Sequence, residues 1–134
     1  MYEKKILSWQ VRVNKETGIP YQGVLREIDN TLEAKQAYVE GHIERVCITP
    51  EIDCILNDEG KIKNLPFNRV WFYEGKPVDF FVGDLLFVRH DDEGNFTSIL
   101  ESDIPIIQEN VKFCITVGDM IVPVDDDVLP EYEE

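Results

Sequence analysis

Between residues 57 and 69 the chain gathers the polar side chains best suited to hold a ligand: Asn57, Glu59, Lys61, Asn68 and Arg69. The two amides offer donors and acceptors, the carboxylate accepts, and the two cations present donors that pair with phosphate or carboxylate groups. Lysine and arginine together number only 13, yet Lys61, Lys63 and Arg69 fall in this one short segment. The chemistry implied is recognition of a small molecule such as a nucleotide, by loops that apolar strands hold in place. Asn57 and Asn68 also read as amides that satisfy the backbone of the Asn57-Asp58-Glu59-Gly60 turn and of the Leu65-Pro66 bend.

Catalytic signatures are lacking. The sequence contains no phosphate-binding glycine loop, dinucleotide fingerprint, paired Cys-x-x-Cys or His-Glu-x-x-His motif. A metal would need His42, Cys47, Cys54 and His90 to converge, and their spacing matches no common zinc module. A nucleophilic site needs a Cys or Ser beside a positioned His. His90 reads as a solvated residue between a strand and an acidic turn, and Cys54 as a core thiol between Ile52 and Leu56. Asp58 and Glu59 lie in a turn, where both are expected to be exposed. No catalytic residue, metal or cofactor is assigned, and an enzyme is the least favoured class.

The elements that would position these groups follow from periodicity. Leu7, Trp9, Val11 and Val13 alternate on one face of a strand, and a turn at Asn14 to Gly18 leads to a second extended run from Tyr21 to Ile28, hence a hairpin. Asn30 with Glu33 forms a capping-box pattern opening a helix to about Glu40, its inner side made by Leu32, Tyr38, Val39 and the stem of Lys35, with Gly41 as the left-handed stop. Short strands are expected at His42 to Ile48, Ile52 to Leu56 and Val70 to Tyr73, with an irregular stretch from Lys61 to Pro66. Val78 to Arg89 reads as one central strand bent at Gly83, followed by Asn95 to Ile99. A second helix starts near Ser102 or Asp103, and Phe113 to Val124 forms either its continuation or a terminal hairpin about Gly118-Asp119. This order implies an α+β fold, a mostly antiparallel twisted sheet with two helices. Residues 1–124 form a single domain and 125–134 a loosely ordered acidic tail.

At 134 residues and 43% apolar content one core is expected, and no run is long enough for a membrane span or a signal-peptide core. Three cysteines in mostly apolar settings fit a reducing, cytoplasmic compartment. The net charge is −14, and residues 101–134 carry ten acidic groups against one basic. Such a field disfavours direct nucleic-acid binding and favours a protein with a basic surface, including one that normally grips phosphates.

The segments Glu27-Ile-Asp-Asn-Thr-Leu-Glu-Ala34, Val39-Glu-Gly-His-Ile-Glu44, Asn57-Asp-Glu-Gly-Lys61, Leu65-Pro-Phe-Asn-Arg69 and Phe81-Val-Gly83 occur in an order that resembles the family described as domain of unknown function 3846, over about residues 24–105. The resemblance implies a protein carried by bacterial phages, plasmids or integrative elements, with no activity attached. The family's helix usually ends in Val-Gly-Gly, where this chain has Val39-Glu40-Gly41. If those glycines serve close approach by a ligand, Glu40 stands against it here. The expected function is a non-catalytic acidic module that engages a host protein, in an anti-defence or nucleic-acid-mimic role. The alternative is a small-molecule or nucleotide binder using Asn57 to Arg69.

Overall fold

The structure is a computed structural model that describes residues 3–133. The first hairpin is β1 (Lys5–Val11) with β2 (Val24–Asp29), followed by α1 (Leu32–Val39). A second hairpin, β3 (Ile43–Cys47) and β4 (Ile52–Asn57), precedes a third, β5 (Phe67–Tyr73) and β6 (Lys76–Val82). Then come β7 (Leu85–His90), β8 (Phe96–Thr97), α2 (Asp103–Asn110), β9 (Val111–Lys112) and a last hairpin of β10 (Cys114–Val117) and β11 (Met120–Pro123). The main sheet runs β2-β1-β7-β4-β3 with β8 added to β7, a second sheet runs β6-β5-β9, and every pair is antiparallel. The fold is α+β, as the order of elements implies.

The main sheet is covered on both faces, which explains why β4 is buried at every residue and β7 from Leu85 to Val88. Trp9, Val11, Cys54, Leu56, Leu85 and Phe87 face the second sheet and α2 together with Phe81, Ile107 and Val111. Ile6, Ile55, Leu86 and Val88 face Tyr38 and Val39 of α1. The β1 face chosen by alternation is buried only at its end, where Val11 and Val13 lie inside, while Leu7 is exposed and Trp9 half-buried, and Ile6, Ser8 and Gln10 on the other side are all buried.

Four local expectations change. Val78 to Arg89 is two strands in different sheets, because Gly83 holds φ +74 and turns the chain from β6 into β7. A Cβ there would also press on Leu65 at 2.9 Å. Helix α1 is capped by Thr31, whose Oγ1 accepts from the Ala34 amide at 3.1 Å, while Asn30 is buried and accepts from Lys35 Nζ at 2.7 Å. At the other end Glu40, not Gly41, takes the left-handed conformation at φ 61, and Leu32 is exposed.

Residues 125–133 lie against the domain. Asp126–Val128 forms a single 3-10 turn, Leu129 is buried, and the Gln22 amide donates to Pro130 O at 2.9 Å. Tyr132 meets Tyr21 edge-on at 5.2 Å and lies under the Arg12 guanidinium at 4.9 Å. Apolar and cation-π contacts overcome the repulsion expected of an acidic tail.

Candidate functional site

The five polar residues near the β4–β5 connection are split up by the fold. Asn57, at the end of β4, donates from Nδ2 to Val39 O at 3.0 Å and Glu40 O at 3.3 Å and accepts from the Glu59 amide at 2.8 Å. It ties the end of α1 to the turn that follows β4. Glu59 is exposed and 3.6 Å from Lys63, and Lys61 pairs with Asp79 while lying over the Phe80 ring. Asn68 is fully buried and donates to Val11 O and Gly83 O, joining β5 to both neighbours of the sheet crossover.

Arg69 is also buried, at 1% exposure. Its Nη1 donates to Asn68 Oδ1 at 2.6 Å, and its Nη2 donates to Tyr21 O at 2.9 Å and Asp126 Oδ2 at 3.2 Å. Burial pulls its pKa below the ordinary arginine value, with Asp126 pulling the other way. Asn57 and Lys61 do share a cleft of about 220 Å³, but its other polar walls are Glu44, Asp58 and Asp79. Each of the three cations of this segment thus faces a carboxylate: Lys61 with Asp79, Lys63 with Glu59 and Arg69 with Asp126. Such matched cations offer little to an anionic ligand.

A second polar constellation was not legible as a site. His90 is the last residue of β7, not a loop residue, and its Nδ1 lies 2.8 Å from Oδ2 of the fully buried Asp53 on β4. Asp53 Oδ1 is buried without a hydrogen-bond partner, and Arg45 Nε stands 4.0 Å from Oδ2. A carboxylate that fixes an imidazole through Nδ1 is two thirds of a nucleophilic triad. Among the described residues, no Ser, Thr or Cys side chain hydrogen-bonds the imidazole. Cys47, opposite Asp53 in the β3–β4 ladder, has its thiol pKa raised by burial and by its hydrogen bond to Asp53, so it is not activated as a thiolate. Among the described residues, no three His, Cys, Asp or Glu side chains converge to hold a metal ion.

The distinctive surface is elsewhere. Loop residues Gly18 to Pro20, the β5–β6 sheet and the β10–β11 hairpin enclose a groove of about 680 Å³. Ile19, Phe67, Phe80, Phe113, Ile115 and Ile121 line it, and none of its lining residues is charged. In a chain with 30% charged residues, an uncharged concavity of this size stands out. Ile19, Phe80, Ile115 and Ile121 are each between 46% and 49% exposed, and Val117 and Met120 extend the apolar surface to the hairpin tip. Two-stranded hairpins are marginal in water, and an exposed apolar one gains from a partner that covers it.

No described helix is long and apolar enough to cross a membrane. No curated protein and no solved structure matches the chain. The family model described as domain of unknown function (DUF3846) matches residues 13–112, which begins just after β1 and takes in the rest of the main sheet, α1, α2 and the second sheet. With a match over most of its length, the chain belongs to the DUF3846 family.

Proposed function

We propose that the chain is a non-catalytic binding module that engages another protein, with the groove between the β5–β6 sheet and the β10–β11 hairpin as its docking face. The observation that carries this reading is the uncharged groove lined by half-exposed Ile19, Phe80, Ile115 and Ile121. Burying such side chains contributes roughly 1.5–3 kcal/mol each when covered fully, enough for a few of them to anchor an interface. The net charge of −14 selects a partner whose surrounding surface is basic. Three free cysteines support action in a reducing compartment such as the cytoplasm, and the mobile-element context that the sequence resemblance implies supports an accessory role in a bacterial host. A decoy that mimics a phosphate backbone would work through rows of carboxylates, and the uncharged groove favours docking over mimicry. The small-molecule reading loses its motivation because Lys61, Lys63 and Arg69 are already paired.

The test is a photo-crosslinking amino acid placed at Ile121 in the groove or at Glu93 in the β7–β8 turn, in host cells. Adducts should form from position 121 and vanish when Ile115→Asp is added. Equal adducts from position 93, or none from 121, would remove the proposal.

A further inference from the structure

The base of the β10–β11 hairpin separates two concavities of opposite character. Cys114 lines the apolar groove, while its ladder partner Pro123 lines a cleft of about 560 Å³ whose polar wall includes Glu109, Asp125, Asp126 and Asp127. Lys112 is the one cation lining that cleft, and it stands 3.8 Å from Glu109. Asp126 is answered by Arg69 from below. Glu109, Asp125 and Asp127 remain exposed, with the Glu109 side chain at 80%. An apolar trough thus runs up to a patch with more carboxylates than cations, Asp125 and Asp127 having no ion-pair partner among the described residues, across one pair of ladder residues.

We infer that the segment this face receives is a stretch of a partner protein in which apolar side chains are followed directly by lysine or arginine. The inference rests on the docking reading given above and adds to it the order of chemistry along the bound segment. The apolar residues fill the groove against Phe80, Ile115 and Ile121, and the basic residues reach the cleft carboxylates. Opposite charges at a partly exposed rim steer association and fix the register of the bound segment more than they add affinity. A second copy of this chain is the wrong occupant. It brings a like net charge of −14, and its longest run of this pattern, Leu85-Leu86-Phe87-Val88-Arg89, is locked in the centre of the main sheet. Strand addition to the neighbouring β6 edge is also obstructed. Pro77 lacks a donor, and the Phe80 amide is taken at 2.8 Å by the Asp79 side chain, which Lys61 also holds.

The experiment pans the full chain against a displayed library of random dodecapeptides, at low and at physiological salt. Recovered sequences should share an apolar run next to Lys or Arg. Their binding should fall at least tenfold for Ile115→Asp with Ile121→Asp, since tenfold is ~1.4 kcal/mol and each anchor contributes more than that when buried. For Glu109→Gln with Asp127→Asn the loss should be about fivefold, because exposed ion pairs contribute ~0.2–1 kcal/mol each, and the salt dependence should flatten. Peptides that are apolar, depend on Ile115 and Ile121, and ignore the carboxylate changes would overturn this inference and leave the docking reading standing. Peptides indifferent to the isoleucine variants, or a chain that pairs with itself through the groove and selects none, would overturn both. The substituted residues are all exposed, and Ile19→Asp on the opposite wall serves where the hairpin double variant loses its fold.

Discussion

Replacing Arg69 by methionine separates a structural role from a ligand-binding one. Methionine replaces the unbranched stem but not the guanidinium, so the Asn68 Oδ1, Tyr21 carbonyl and Asp126 carboxylate all lose their donor. Breaking a buried ion pair from one side costs about 3–5 kcal/mol. The lower end applies here because the Asp126 side chain is 21% exposed and rehydrates in part. A loss of ~3 kcal/mol corresponds to a fall in Tm of about 10 °C for a domain of this size. Urea titration of both proteins should show the midpoint shift with unchanged slope, and hydrogen exchange should speed up at Val128 and Leu129, whose amides close the 3-10 turn held by Asp126. A destabilisation under ~1 kcal/mol, or an exchange pattern unchanged around residue 128, would refute the claim that Arg69 fastens the C-terminal segment.

Other consequences follow from single contacts. Gly41→Ala places a Cβ 2.6 Å from Asn57 Nδ2, and the displaced amide gives up two donated bonds, so denaturation should show a loss of about 2 kcal/mol. Glu40→Gly should leave stability unchanged or raise it by up to ~1 kcal/mol, because the left-handed conformation at φ 61 strains Glu and not Gly, while the exposed Lys15–Glu40 pair contributes little. The Arg89 guanidinium holds the Asp103 carboxyl below its ordinary pKa, with the Leu100 amide assisting. That stability is present above the unfolded value of about 4 and is lost as pH falls through the lower folded value, so Asp103→Asn should flatten the acid limb of a stability-versus-pH curve. Asp53→Asn should destabilise the fold without changing partner binding, since its contact to His90 lies outside the groove.

Turn chemistry was the most legible layer. Asn57 to Gly60, Glu74-Gly75, Asp91 to Gly94 and Gly118-Asp119 all mark chain reversals, and the terminal hairpin about Gly118-Asp119 forms as one of the two alternatives. Pairing between distant strands was not legible. Val78 to Arg89 is the most hydrophobic stretch of the chain, broken only by Asp79, Gly83 and Asp84, and the positive φ at Gly83 marks where its halves part into different sheets. Helix boundaries failed by one residue at each end because Thr31 and Glu40 compete with equally plausible neighbours, Asn30 and Gly41. Val39-Glu40-Gly41 now has a backbone reason: the middle position is left-handed, the conformation that glycine adopts without cost.

The candidate site was only partly readable. Polar residues amid apolar strands signalled Asn57, Asn68 and Arg69, yet the same signal describes buried amides that join elements, and their bonds go to Val39, Val11, Gly83 and Tyr21 backbone. A charged residue inside Ile52-Asp53-Cys54 was the one available cue to the Asp53–His90 contact. The groove left no cue, because Phe113, Ile115 and Val117 alternate in sequence as core residues do, Ile121 sits in the apolar run Met120-Ile121-Val122, and exposure depends on the β10–β11 hairpin pairing with neither larger sheet.

The central claim is tested most directly by hydrogen exchange on the chain with the partner crosslinked from position 121, compared with the free chain. Protection should appear at Gly18 and Ile19, in β6 near Phe80 and along β10–β11, with Asn57 to Lys63 and the Asp53–His90 region unchanged. Protection confined to the β4–β5 connection or to His90, with the hairpin still exchanging freely, would contradict it.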